Sequence, residues 1–265
     1  MKGGSGVVSQ ATPIVFIHGL FPVPFTPDGP RLLAPNPVLA PDLPGYGEEA
    51  GRDPREISLD RAADEIYARM RAAGCITAHL VGHSVGGAIA VVLADRYPEA
   101  VASVVSVEGN FTLRDAFWSQ ELARMDPTEA EAMLAGYRAG PRAWLAGSGF
   151  DATPEQEAIA ARILAAQPAS TLQAMARSVV RVTGDAAYLR AIATILDRSI
   201  PLHLVAGERS RAARDVPDWA LQRAASTTIQ PGVGHMMMLE DQPAFLSIIR
   251  RLIPFGAPSF AKTHG

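Results

Sequence analysis

Gly82-His83-Ser84-Val85-Gly86-Gly87 is the stretch on which the reading of this chain turns. It fits the G-x-S-x-G nucleophile elbow, in which a serine sits on a tight turn between a buried strand and a helix. The flanks suit that context. Ala78-His79-Leu80-Val81 reads as a short buried strand, and residues 88–97 form a helix-favouring run that stops before Pro98. The glycines have a physical reason. A residue on such an elbow holds strained backbone angles, at a cost of order 1–3 kcal/mol, and neighbouring side chains would keep strand and helix apart.

Outward from the elbow, strands and helices alternate. Pro13-Ile14-Val15-Phe16-Ile17 is a continuous apolar run, the mark of a strand buried on both faces, and it ends in His18-Gly19-Leu20-Phe21. Residues 22–37 are proline-rich and read as loop. Val38-Leu39-Ala40 is a second strand, running into Pro41-Asp42-Leu43-Pro44-Gly45-Tyr46-Gly47. Ser58 is a candidate N-cap for a helix through Ala73, with Leu59, Ala62, Ala63, Ile66 and Met70 on one face and Gly74 closing it. Residues 101–107 form another buried strand, ending at Glu108-Gly109-Asn110.

The pattern then changes. Helical segments are expected at 113–124, 127–138, 154–166, 170–182 and 185–197, before a buried strand returns at 200–206. A helix at 218–224, a strand at 227–230 and a helix at 243–252 follow. This order predicts an α/β fold with a doubly wound, mainly parallel sheet. Residues 1–110 and 199–265 are expected to form the core, and 111–198 a helical cap over the strand C-terminal ends, where ligands bind in open α/β sheets.

Composition narrows the class. The chain has 265 residues, 48% apolar and 19% charged, as expected of a globular protein with a large core. A net charge of −3 leaves no electrostatic footprint for nucleic acid or an anionic membrane. No run approaches the ~18 apolar residues of a membrane span, and Met1 to Gly6 lacks the apolar region of a signal peptide, so a cytoplasmic location is expected. The single cysteine, Cys75, excludes an internal disulfide and reads as a buried bystander. No cofactor and no metal are expected.

Four segments, in order, carry a family resemblance: His18-Gly19, Asp42 to Gly47, the Ser84 elbow, and Gly234-His235 followed by Glu240-Asp241-Gln242-Pro243-Ala244-Phe245. The chain resembles the α/β-hydrolases with a helical cap over nearly its whole length. One departure is that only 12 residues precede Pro13, too few for the family's opening β-hairpin, so an abbreviated N-terminal edge is expected.

Ser84 is the candidate nucleophile, and a serine hydroxyl needs a base to remove its proton as it attacks. Of six histidines, His235 alone lies on a glycine-rich loop after the last strand, in the chain order serine, acid, histidine. His18 reads as a structural part of the His-Gly turn, His79 and His203 as core residues, His83 as pointing away from the site, and His264 as tail. The acid is less direct. In the family it usually follows the strand after the cap, in a Gly-x-x-Asp arrangement, but here the segment is Gly207-Glu208-Arg209-Ser210. The resemblance therefore points to Glu108, at an acid position used by some lactone hydrolases and haloalkane dehalogenases, with Glu208 as the alternative acid. A carboxylate left unpaired at the sheet edge would cost several kcal/mol, which a bond to His235 would offset. Asp215, or a dyad without an acid, remains as a further alternative. The resemblance also implies an oxyanion hole from the backbone amides of Leu20 and Val85, with Phe21 as a neighbour of the first.

Asp42 reads as structural. Met236-Met237-Met238 either line a pocket or pack in the core, and the insertion's aromatics, Phe111, Phe117, Trp118, Tyr137, Trp144, Phe150 and Tyr188, either shape an apolar pocket or hold its helices together. A serine at the elbow excludes the haloalkane dehalogenase and epoxide hydrolase mechanisms, which use aspartate there. The expected activity is serine hydrolysis of a carboxylic ester or lactone of a small to medium hydrophobic substrate, through an acyl-enzyme on Ser84. Carbon–carbon bond hydrolysis, thioester cleavage, or lyase or cyclase chemistry uses the same groups and is the alternative. A non-catalytic ligand receptor is the third class. A homodimer is left open.

Overall fold

The computed structural model describes residues 11–254. Met1 to Gly6 and His264, read above, lie outside them. Six strands form one sheet: β1 (Ile14–Ile17), β2 (Val38–Leu39), β3 (Ala78–His83), β4 (Val101–Val107), β5 (Leu202–Gly207) and β6 (Ser226–Gln230). Their order is β2-β1-β3-β4-β5-β6, and every pairing is parallel. The described residues thus begin one strand in from the β2 edge, step out to β2, and return to wind the other way. Among the described residues no antiparallel hairpin precedes β1.

Both faces are covered, which is why the strands read as continuous apolar runs. The cluster that contains Leu80, Val104 and Leu204 packs with α1 (Leu59–Ala72), α2 (Val85–Arg96) and α8 (Ala186–Asp197). Their neighbours Val81, Val105 and Val205 face the opposite way, toward Phe245, Leu246 and Ile249 of α11 (Gln242–Leu252). Each such side chain, fully buried, contributes about 1.5–3 kcal/mol. Helix α2 is buried at every residue from 85 to 94, so it is a core helix rather than an amphipathic one. Helix α1 follows the sequence reading: Ser58 Oγ accepts from Arg61 N at 3.2 Å, and the five expected apolar residues are buried. Cys75 is buried and free.

Between β4 and β5 lie α3 (Phe117–Arg124), α4 (Pro127–Ala139), α5 (Pro141–Gly147), α6 (Pro154–Ala165), α7 (Ala169–Thr183) and α8. Helices α4 and α6 start in capping boxes built on Asp126 and Thr153, each with proline at the first position. Helix α3 starts four residues later than expected because the Asp115 carboxylate accepts from Phe111 N and Thr112 N and holds that stretch as a turn. Helix α5 was not expected; it is a short helix with proline at its first position, between Gly140 and Ser148. The insertion meets the core through its last helix, α8, which packs on α2 against the sheet face, through α7, which packs on α1 and α2, and through Gln156 Nε2, which donates to Leu239 O at 2.9 Å. The remaining elements are α9 (Asp218–Arg223), α10 (Met237–Glu240) and α11.

One crossover is unusual. The link from β1 to β2 holds no α-helix, only a 3-10 turn at Gly29–Leu33, because its prolines lack the N–H groups a helix requires. Beneath it a cavity of about 470 Å3 opens between the sheet end, α11 and α6. No helix among the described residues is long and apolar enough to cross a membrane.

The elbow itself depends on close backbone approach. A Cβ on Gly86 would lie 2.1 Å from Ile17 O, against the end of β1. Gly86→Ala is therefore expected to lower stability by about 3 kcal/mol or to abolish soluble folding. Urea denaturation checks it, and an unchanged midpoint would contradict the packing described.

Candidate active site

Ser84 sits between β3 and α2 with φ 54° and ψ −121°, a left-handed conformation that a non-glycine residue adopts only when its surroundings enforce it. Those surroundings are backbone. Ser84 N donates to Val107 O at 2.9 Å, and Ser84 O accepts from Gly87 N at 2.9 Å. The loop after β1 lies against it: a Cβ on Gly19 would stand 3.2 Å from Ser84 Cβ and 3.0 Å from His83 Nδ1. That places the next residue, buried Leu20, beside the elbow, and Val85 directly follows the serine.

His18 fastens that loop. Its Nδ1–H donates to Gly19 O at 2.7 Å, leaving Nε2 to accept from Leu43 N at 3.1 Å. Burial lowers its pKa, which keeps it neutral for this bridging role. The ring also meets Tyr46 edge-on at 4.7 Å. His18 therefore ties the Asp42 to Gly47 turn to the elbow. Asp42 itself packs its carboxylate against Gly47 and lines the cavity.

His235 lies on the loop after β6, its side chain 43% exposed. Its Nδ1 is 2.6 Å from Glu108 Oε2. Because a carboxylate only accepts, Nδ1 carries the hydrogen, and Nε2 is left as an acceptor. Glu108 directly follows β4 in a left-handed conformation, φ 46°, and is 2% exposed. Its Oε1 accepts from Gly207 N at 2.8 Å and from the Ser210 hydroxyl. Burial pushes the Glu108 pKa up. The bond from His235, that ring's charge and the bonds from Ser210 and Gly207 together outweigh it, so the carboxyl titrates well below its usual range.

Glu208 goes elsewhere: its Oε2 accepts from Gly232 N at 2.8 Å, and the residue is exposed. Asp215 accepts from Thr112 Oγ1 at 2.5 Å and pairs with Arg114 at 3.4 Å. His79 and His203 bond to Ser103 and Ser226 at 2.7 and 2.8 Å within the sheet.

His83 does not point away from the site, contrary to expectation. Its Nε2–H donates to His235 O at 2.9 Å, and the two rings are 4.7 Å apart. This backbone bond draws the ring under the His235 loop. Burial, and then the nearby His235 ring, lower its pKa to about 3, so it is neutral at ordinary pH.

Three more residues were not legible in the sequence. Glu240, the last residue of α10, accepts from Gly234 N at 2.8 Å and from Arg209 Nη2 at 2.6 Å, bracing the turn just before His235. Ser210 turns its hydroxyl to Glu108. Arg214 donates to Gly109 O, next to Glu108. Each acts between loops that only the folded sheet brings together.

The insertion's aromatics divide. Phe21 packs on Trp118 and Trp144, at 5.5 and 5.0 Å, close to the elbow loop. Phe111 is core, Tyr188 donates to Asn110 O at 2.8 Å, and Phe117 is 60% exposed. Met236, Met237 and Met238 are all buried, and Met238 lines the cavity. Phe16, Val23, Phe25, Ile163 and Phe245 give that cavity apolar walls, with Gly19 and His83 on the side of the elbow; Ser84 and His235 are not part of its lining. Among the described residues no cluster of His, Cys, Asp and Glu could hold a metal ion.

With Glu108 charged, the stability it contributes is complete above its unfolded pKa of about 4.5 and is lost as pH falls toward its lower folded value. Glu108→Gln should therefore flatten the decline in stability below about pH 4.5. In turnover of an activated ester, Glu108→Gln should lower kcat by roughly 10³–10⁴, whereas Glu208→Gln stays within about threefold of the parent. Near-parental kcat in Glu108→Gln would contradict the arrangement.

Comparison with known proteins follows the same lines. A model of the Alpha/beta hydrolase family matches residues 14–247. The chain is similar to the dihydrolipoyllysine-residue acetyltransferase component of the acetoin cleaving system of Pseudomonas putida, 36% identical over 110 residues, which are 38% of this chain and 27% of that protein. The match thus spans about a quarter of that relative's length. Among solved structures, it is similar to one from work on carboxylesterases of the Thaumarchaeon Nitrososphaera gargenis, with a TM-score of 0.66 at 15% identity, covering 92% of this chain and 90% of that one. It is also similar to a meta-cleavage product hydrolase from Pseudomonas fluorescens IP01, with a TM-score of 0.64 at 22% identity, covering 92% and 91%. At these identities the two structures speak for the fold.

Proposed function

The chain belongs to the alpha/beta hydrolase family, and on that footing we propose that it is a serine hydrolase that cleaves a carboxylic ester or lactone through an acyl-enzyme on Ser84. The observation that carries this reading is the bond between His235 Nδ1 and Glu108 Oε2 at 2.6 Å, on the loop that follows the last strand. It fixes the ring so that Nε2 is the atom free to take a proton from Ser84 Oγ. As Oγ attacks the carbonyl carbon, Nε2 accepts its proton, and buried Glu108 stabilises the imidazolium. Leu20 N and Val85 N donate to the oxyanion, each such donor being worth about 2.7–4 kcal/mol in the transition state. Nε2 then returns the proton to the leaving alkoxide. Water, deprotonated by the same Nε2, attacks the acyl carbon; the bond to Oγ breaks, the acid leaves, and Nε2 returns the proton to Ser84 Oγ.

The insertion, 111–198, serves as the cap that excludes water from this exchange. The substrate is small to medium and hydrophobic. Its apolar part lodges in the cavity beneath the β1–β2 link, which lies in the usual ligand-pocket range of about 300–1,000 Å3 and borders the elbow loop at Gly19 and His83. The location proposed is the cytoplasm.

p-Nitrophenyl butyrate should be hydrolysed, and Ser84→Ala should lose at least about 10⁴-fold in kcat. Ala166→Trp, which narrows the cavity, should raise KM for octanoate esters about tenfold while leaving acetate turnover within about twofold. No measurable hydrolysis of either ester by the parent would overturn the proposed activity. An equal effect of Ala166→Trp on both esters would remove the cavity from it.

A further inference from the structure

The strand-β5 loop carries serine at 210, where the family resemblance leads one to expect the acid, yet that loop still converges on the catalytic carboxylate. Gly207 N donates to Glu108 Oε1 at 2.8 Å, and the Ser210 hydroxyl donates to the same oxygen. Arg214, from the same loop, donates to Gly109 O, the residue after Glu108. One backbone donor alone leaves a glutamate carboxylate free to turn, because its terminal torsion is broad and roughly two-fold. A second donor on the same oxygen fixes both which oxygen faces the loop and the plane of the group. The other oxygen, Oε2, is then presented to His235 Nδ1.

We propose that Ser210 is a positioning residue for Glu108, its hydroxyl holding Oε1 so that Oε2 stays aligned with His235. This rests on the reading of Ser84, His235 and Glu108 as a hydrolase triad. Ser210 touches no reacting atom and acts only through the carboxylate. The titratable and charged groups that face Glu108 come from several elements: His235 after β6, the neutral His83 at the end of β3, and Arg214 after β5, itself near Asp115 and Tyr188. Against this background the hydroxyl is a neutral donor that favours the charged carboxylate. A carboxylate in its place would sit within hydrogen-bond distance of another, and the pair would share a proton.

Three variants of the full chain test this, each assayed with p-nitrophenyl butyrate across pH and by carbon NMR of the Glu108 carboxyl. Ser210→Ala should lower kcat about tenfold with KM unchanged, and its Glu108 carboxyl should titrate at higher pH. Ser210→Thr, which keeps the hydroxyl, should restore kcat to within about twofold of the parent. Ser210→Asp should move the acid limb of kcat upward by about one pH unit or more. Parental kcat and an unmoved Glu108 titration in Ser210→Ala would overturn the proposal. Should that variant not fold, an unmoved acid limb in Ser210→Asp would overturn it as well. The NMR titration needs no turnover, so if the parent hydrolyses no ester, the hydrolase reading fails while the role of Ser210 is still decided.

Discussion

A carboxylate buried at the end of a central strand must be met by donors, and at Glu108 that requirement shapes the whole site. The group is 2% exposed, and left unpaired it would cost several kcal/mol. It is met from two directions: the β5 loop supplies Gly207 N and the Ser210 hydroxyl, and the β6 loop supplies His235 Nδ1. The two loops are thereby held at one point on the strand ends. Glu240 and Arg209 brace the turn before His235, and His83 takes hold of its carbonyl. The orientation of His235 is thus a property of four chain segments rather than of one side chain.

The second constraint is steric. Ser84 occupies its left-handed conformation because strand, helix and the loop after β1 approach at backbone distance, which glycines at 19, 82, 86 and 87 permit. The same approach sets the backbone of Leu20 and Val85 beside the serine. His18 locks the arrangement, its neutral ring joining two loops. In the proposed mechanism, removal of the proton from Ser84 and stabilisation of the charge that follows thus depend on the same packed layer.

Much of this was legible in sequence, for physical reasons that differ by element. The buried strands showed as unbroken apolar runs because both faces of a parallel sheet are covered. Helix α1 showed in its spacing and its Ser58 cap. Glu108 was reachable because a charge directly after such a run has to find a partner, and it is the carboxylate that His235 meets. What stayed hidden depends on loop-to-loop contact. Ser210 was dismissed for lacking charge, and nothing in its local sequence says that its hydroxyl meets a glutamate 102 residues away. His83 misled for a related reason: nothing in its local sequence shows that its ring meets the carbonyl of a residue 152 positions away. The late start of α3 came from one aspartate bonding back to its own turn.

The central claim is that Ser84, His235 and Glu108 work as one unit, and a crystal structure of the protein inactivated by an alkyl phosphonate ester tests it most directly. The account predicts phosphorus bonded to Ser84 Oγ, its oxygen accepting from Leu20 N and Val85 N, with His235 Nε2 turned to the adduct and Glu108 Oε2 on Nδ1. Phosphorus on another residue, or His235 turned to Glu208 with Glu108 left to the β5 loop, would contradict it.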